Sequence, residues 1–355
     1  MKSDIISGAL PSSKSSNANG PRQFTCTDLK VSRNENVPSR ICRFFAQTWE
    51  IISLAHLITE SNIKAYVLPI VLFAMLGVAS GGVTTNPSPS WNDLSAALSH
   101  AGFYAWLYVF HFDCSNQKDP ESIREDKLNK PWRAIPSGRL SIESAQHWYI
   151  AATCLLLLAT GTWLGGFPEA LFFMAETWVY DYASGASSWW GKNIINALFY
   201  MTGQLGATRV AAEAMGSTTM TRAGYEWCLL LGINTFTTVQ IQDLRDQEGD
   251  RARGRRTVPL VIGDWTTRWI TTLFISFWSI ACPAYWGNSR FTAGYVPPLL
   301  VGSFVVARML SCRSAKADRA TFNYYTLAWL PSLYAIPILS RYELPLSLWV
   351  SGGLQ

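Results

Sequence analysis

The sequence predicts an all-α, polytopic membrane protein of about nine transmembrane helices. Three observations carry this. The chain of 355 residues is 49% hydrophobic and only 15% charged. Its apolar residues fall in blocks close to the roughly 20 residues that a helix needs to cross a bilayer. Several blocks are joined by loops of only a few residues, a pattern that argues against a soluble protein with buried core helices. The 16 tryptophans agree. Many stand near block ends (Trp91, Trp148, Trp163, Trp189, Trp190, Trp227, Trp265, Trp286), as in an interfacial aromatic belt.

Residues 1–42 are rich in Ser, Asn, Lys and Arg and carry no apolar core, so a disordered tail is expected there. Met1 is followed by no apolar h-region, so no cleaved signal peptide is expected. Residues 43–350 form the expected transmembrane domain. It begins with a helix from Arg43 to about Ile58, whose mixed apolar and polar residues suit the membrane surface. The nine spans then follow as Ile63–Gly82, Leu94–Phe112, Ala145–Leu164, Phe167–Tyr182, Asn193–Ala214, Ala223–Gln242, Thr266–Trp286, Val296–Leu310 and Asn323–Leu339.

The loop after the second span (113–144) and the loop after the sixth (243–265) are separated by an even number of spans. They must share one side. That side carries Lys118, Arg124, Lys127, Lys130, Arg133, Arg139, Arg251, Arg253, Arg255, Arg256, Arg313, Lys316 and Arg319. The opposite loops hold little beyond Arg222 and Arg290. By the positive-inside rule the first set faces the cytosol. The seven cysteines are scattered, odd in number and form no CxxC pair, so neither a complete disulfide framework nor zinc is expected. The four histidines are not spaced as metal ligands. No nucleic-acid partner is expected; the chain's surroundings are membrane lipid.

The chemistry concentrates in the two loops. Asp243, Asp246 and Asp250 stand at i, i+3 and i+7, so in a helix they share one face. Like carboxylates so placed require a cation among them. Oxygen-only ligands suit Mg²⁺, which takes few protein carboxylates and bridges them to substrate phosphates. Arg251, Arg253, Arg255 and Arg256 follow at once and suit phosphate oxygens. The alternative reading is a solvated helix end or surface anchor. The other loop offers Asp113, Asn116, Asp119, Glu125 and Asp126 as oxygen donors, with Asn129, Lys130 and Arg133 beside them. Two such loops on one side of a helical bundle suit a Mg²⁺–diphosphate complex whose hydrocarbon tail descends between the helices.

These residues carry a resemblance. Asp243-x-x-Asp246-x-x-Gly249-Asp250, followed by Gly254-Arg-Arg-Thr257-Val-Pro259 and Gly263, is similar to the second motif of the UbiA superfamily of intramembrane prenyltransferases. Asn129-Lys-Pro-Trp-Arg133-Ala-Ile-Pro-Ser-Gly138-Arg139 resembles the end of its first motif. The resemblance implies a nine-helix bundle with a cytosolic cap, a membrane-lined cavity, two Mg²⁺ and an isoprenyl diphosphate. The first motif departs from the family pattern: Gln117, Pro120 and Arg124 stand where aspartates are usual, and acidity moves to Glu125 and Asp126. That departure resembles the fungal branch of membrane terpene cyclases, of the bergamotene-synthase type, which cyclises farnesyl diphosphate.

On this reading Asn116, Glu125, Asp126, Asp243, Asp246 and Asp250 are the expected metal ligands. Asp243, Asp246, Asp126 and Arg133 are the expected catalytic set. Asn129, Lys130, Arg139, Asp181, Lys192, Asn193, Asn196, Arg251 and Arg255 are the expected substrate-binding residues. Tyr108, Phe110, Phe199, Tyr200, Phe236, Tyr324 and Tyr325 are candidates to face a carbocation. Glu176 is either a deprotonating base or a hydrogen-bonded core residue. Arg209 and Glu213 form an expected structural pair. Three functions follow from these features: a sesquiterpene cyclase acting on farnesyl diphosphate, a transferase of isoprenyl groups to an aromatic acceptor, or a transporter or scaffold. The fungal resemblance sets the expected membrane as the endoplasmic reticulum.

Overall fold

The computed structural model describes residues 37–344, apart from 184, 186, 217 and 288–290. Most of the expected tail therefore lies outside the described residues. Helix α1, Val37–Asn62, starts within it, so residues 37–42 are helical rather than disordered. Contacts divide the chain into two units, 1–50 and 51–355. The described part of the first is helical, and its Phe44, Phe45 and Trp49 side chains are exposed.

The second unit is a helical bundle. A π-helical turn, Ile63–Val67, leads to α2, Leu68–Ser80. The expected surface helix and first span are thus parts of one helical run, Cys42–Ser80. The other helices are α3 (Trp91–Gln117), α4 (Pro120–Asn129), α5 (Ile142–Ala159), α6 (Phe167–Asp181), α7 (Trp189–Ala214), α8 (Arg222–Thr238), α9 (Asp243–Arg253) and α10 (Val258–Ile262). The last five are α11 (Asp264–Trp286), α12 (Val296–Ser311), α13 (Ala315–Tyr324), α14 (Leu330–Tyr334) and α15 (Ile336–Leu339). Among the described residues there is no strand, only three isolated bridging pairs. Each of the nine expected spans is helical. Three helical runs, Cys42–Ser80, Ile142–Leu164 and Ala293–Ser311, are by themselves long and apolar enough to cross a membrane.

Helix α7 lies at the centre and packs on α2, α3, α6 and α8. Between helices in lipid, close packing rather than apolar burial drives association, so small residues mark the contacts. Gly203 faces Ile70 of α2 and Gly206 faces the Tyr104 hydroxyl of α3; a Cβ at Gly203 would come 2.6 Å from Ile70. One end of the bundle is pinned by backbone bonds: Thr85 N–H to Thr219 C=O at 2.9 Å, and Thr221 N–H to Val83 C=O at 2.9 Å. At that end Arg209 donates to Glu169 at 2.6 Å, while Glu213, the expected partner, stands 3.7 Å away. At the opposite end α3, α6 and α8 finish, α7 begins, and α4 and α9 pack across them.

Three sequence expectations change here. The first acidic loop is largely helical, because α3 runs on to Gln117 and Asp119 caps α4 by accepting from the Ser122 N–H at 2.9 Å. Trp227 belongs to the core, not the aromatic belt: it is 1% exposed and stacks on Tyr285. Tyr108, Phe199, Tyr200 and Tyr325 are core residues too.

The clearest polar lock is Arg268 of α11. It is fully buried, grips Asp318 of α13 at 2.7 and 2.8 Å, donates to Asp264 at 2.9 Å, and donates to the Met309 carbonyl at 2.6 Å. Removing one partner leaves a buried charge uncompensated, which costs about 3–5 kcal/mol. Arg268→Met is therefore expected to lower the thermal unfolding midpoint of the detergent-solubilised protein by several degrees, and adding Asp318→Leu should recover part of the loss. An unchanged midpoint in Arg268→Met would show that the lock does not hold the three helices.

Candidate functional site

The site grows from a charge problem at the end of the bundle where α4 and α9 meet. Helix α9 starts at Asp243, immediately after the 3₁₀ turn Val239–Gln242 that ends α8. Asp243 points inward and is 1% exposed. Burial raises its carboxyl to about 6, against the pull of Lys192. Lys192, in the first turn of α7, donates to Asp243 Oδ1 at 2.6 Å and faces Asp250 Oδ2 at 3.5 Å. Burial works against the Lys192 charge, but the two carboxylates outweigh it and hold its pKa above the usual lysine range.

The first loop supplies a matching set. Arg133 donates to Asp126 Oδ2 at 2.8 Å and stands 3.7 Å from Asp113. Asp113 also accepts from Asn62 at 2.6 Å. Glu125 Oε2 accepts from Arg255 at 2.8 Å and from Arg253 at 3.1 Å. Burial pushes the Glu125 carboxyl up, yet Arg255, with Lys192 and Lys130, pulls it below the usual range. Arg255 also reaches Asp250 at 3.4 Å, so the two loops are joined by charge.

Backbone shape permits this approach. Asn129 places its amide against α9 and donates weakly to the Asp246 carbonyl at 3.4 Å. It sits where the Cβ of any other residue at Gly249 would be. Gly254, at φ 75°, ends α9 in the left-handed region and turns Arg255 back toward the cavity.

Between the loops lies one polar cavity. Its walls hold Asn116, Glu125, Asp126, Lys130, Arg133, Lys192, Asn196, Asp246 and Arg255, all expected from sequence. They also hold Asn62, Ala65, Tyr66, Phe112, Tyr180, Gln242 and Arg245. Ala65 and Tyr66 reach the wall from the π-helical turn, which sequence periodicity does not reveal. Arg245 lay within the quoted motif, one position before Asp246, and a count of basic residues inside the motif would have found it. The Tyr66 hydroxyl donates to Asn196 Oδ1 at 2.7 Å.

Other expected residues stand elsewhere. Asp243 and Asp250 lie behind the wall, on Lys192. Asp181 accepts from Ser115 at 2.7 Å and from Asn116 Nδ2 at 2.9 Å, and so fixes the Asn116 carboxamide. Asn193 turns away, to Gln240 at 3.2 Å and the Phe236 carbonyl at 3.3 Å. Arg139 and Arg251 are exposed. Glu176 is buried on α6, accepts from Thr202 at 2.8 Å, and does not line the cavity.

The carboxylates differ in the oxygens they leave open to Mg²⁺. Asp246 Oδ2 takes Arg245 at 3.1 Å, but Asp246 Oδ1 is buried without a hydrogen-bond partner. Asp243 Oδ2, one turn away, is likewise without one. Burial opposes the Asp246 charge, while Arg245 and Lys130 hold its carboxyl below the usual range. Among the described residues no three His, Cys, Asp or Glu side chains could hold a metal ion by themselves. The arrangement fits an ion held by one or two carboxylates and completed by substrate oxygens.

Comparison with known proteins agrees with this geometry. The UbiA prenyltransferase family profile matches residues 67–330. The chain is 33% identical to diterpene cyclase eriG of Hericium erinaceus, over 62% of this chain and 70% of that protein. It is 34% identical to polyprenyl transferase eriF of the same fungus, over 62% and 74%. It is 27% identical to fumagillin beta-trans-bergamotene synthase of Aspergillus fumigatus, over 82% and 94%. Its fold is similar to that of a UbiA homologue from Archaeoglobus fulgidus solved with GPP and Mg²⁺, at a TM-score of 0.52 and 13% identity, covering 80% of this chain and 99% of that one. With the profile covering well over half of its residues, the chain belongs to the UbiA prenyltransferase family.

Proposed function

We propose that this protein is a membrane-bound sesquiterpene cyclase that ionises farnesyl diphosphate and closes the resulting cation into a ring, within a catalytic domain spanning residues 43–350. One observation carries the reading: the two charged loops line a single polar cavity, with aromatic side chains on the same wall. The similarity to two named terpene cyclases supports it.

Lys130, Arg133, Lys192 and Arg255 bind the diphosphate oxygens and neutralise charge that grows on them as the C1–O bond breaks. Asp246, with Asp243 behind it, would hold Mg²⁺, and the ion would add to the neutralisation of the leaving diphosphate. The electron pair of the broken bond leaves with the diphosphate. A double bond of the same chain then attacks the allylic cation, and loss of a proton gives a cyclic hydrocarbon. Tyr66, Phe112 and Tyr180 line the cavity, where their rings stabilise positive charge and exclude water. The protein sits in the endoplasmic reticulum as nine crossings with both loops toward the cytosol, in keeping with its basic loops.

A second reading has its own observation. The similarity to a polyprenyl transferase equals that to the diterpene cyclase. In that case an aromatic acceptor, not the chain's own double bond, attacks the cation.

Microsomes carrying the protein, given farnesyl diphosphate and Mg²⁺ alone, are expected to release a cyclic hydrocarbon detected by gas chromatography and mass spectrometry. Unchanged substrate, with product appearing only after an aromatic acceptor is added, would establish the second reading instead. In the same assay Asp246→Asn is expected to lower kcat by roughly 10²–10³-fold, the scale of losing one aimed electrostatic partner. Gly249→Val should separate α4 from α9 through Asn129 and cost about 10²-fold in kcat/KM with unchanged expression. Full activity in Gly249→Val would contradict the close approach of the two loops.

A further inference from the structure

Five cationic side chains line the cavity described above, Lys130, Arg133, Lys192, Arg245 and Arg255, with three carboxylates on its wall, Glu125, Asp126 and Asp246. Asp113, Asp243 and Asp250 stand behind the wall, beside Arg133 and Lys192. The carboxylates also differ in kind. Glu125 Oε2 is held between two guanidinium groups, Arg253 at 3.1 Å and Arg255 at 2.8 Å. Asp126 is held by Arg133 at 2.8 Å. Arg133 and Arg255 are 3% and 7% exposed, and a guanidinium stays charged at any working pH. A second divalent ion on Glu125 or Asp126 would have to displace these guanidinium contacts. Asp246 is different, since its Oδ1 is buried and takes no hydrogen bond.

We propose that the first-loop half of this site is filled by the chain's own guanidinium groups, and that one divalent ion, on the Asp246 side, completes it. This rests on the diphosphate reading above. Five basic side chains already face the space a diphosphate would fill. One ion beside Asp246 then completes the site without a second. Arginine suits the first-loop position because its planar fork meets phosphate oxygens in pairs. The consequence is chemical. The first-loop end binds diphosphate through residues that cannot be removed by chelation, so weak binding survives without metal.

Equilibrium dialysis of the full-length protein in lipid nanodiscs, against Mn²⁺ and inorganic pyrophosphate, tests this by counting bound manganese and phosphorus. The expected result is one Mn²⁺ per bound pyrophosphate in the wild type and in Glu125→Gln, and loss of that ion in Asp246→Asn. Pyrophosphate should still bind, more weakly, with EDTA present. Two Mn²⁺ per bound pyrophosphate in the wild type would overturn the proposal and leave the diphosphate reading standing. So would loss of the ion in a folded Glu125→Gln protein. No pyrophosphate bound, with or without Mn²⁺, would overturn both. The wild-type count decides even if Glu125→Gln fails to fold.

Discussion

A buried ammonium holds the site together. Lys192 opens α7, the central helix, and its Nζ reaches both Asp243 and Asp250 of α9. Burial alone would work against the Lys192 charge, and the two carboxylates beside it outweigh that cost. The contact anchors the second acidic motif to the most enclosed helix of the bundle. Asp250 passes the link to Arg255, and Arg255 passes it to Glu125 of the first loop. The two loops, far apart in the chain, are thereby held face to face by a continuous row of alternating charges. Such a row is costly to desolvate and strongly coupled, so it fixes geometry more than it adds net stability.

The helices supply what the charges need. Small residues on α7 bring α2 and α3 close. The π-helical turn before α2 carries Ala65 and Tyr66 to the cavity wall, and the Tyr200 hydroxyl donates to the Ala65 carbonyl at the same turn. Tyr66 links to Asn196, and Asn196 Nδ2 to the Lys192 carbonyl, so the aromatic wall and the charged wall share α7 as their base. A cavity lined by both fixed cations and aromatic side chains suits a reaction that separates a diphosphate from a carbocation.

Much of this was legible in the sequence because it is written in long blocks and local spacing. The expected apolar segments fall in helical stretches, though several are broken into shorter helices, and nine of the expected site residues line one cavity. What was not legible depends on tertiary contact. Periodicity treats the run from α1 into α2 as two pieces with polar residues between, and it cannot announce the π-helical turn that exposes Tyr66. Spacing puts Asp243, Asp246 and Asp250 on one face, but only packing against Lys192 decides that Asp246 meets the cavity while the others back it. Likewise Asn193 stands next to Lys192 in sequence yet turns to Gln240, because neighbouring positions on a helix point about 100° apart. Arg139 lies in the quoted motif but beyond the turn that follows Arg133, on the exposed side.

The central claim is that one diphosphate is gripped by both loops at once. A structure of the protein in nanodiscs with a non-ionisable thiolodiphosphate analogue of farnesyl diphosphate tests it most directly. The account predicts phosphate oxygens within hydrogen-bond reach of Lys130 or Arg133 on one side and of Lys192 or Arg255 on the other, with the prenyl chain leaving past Tyr66. A diphosphate touching only one loop, or bound outside this cavity, would contradict it.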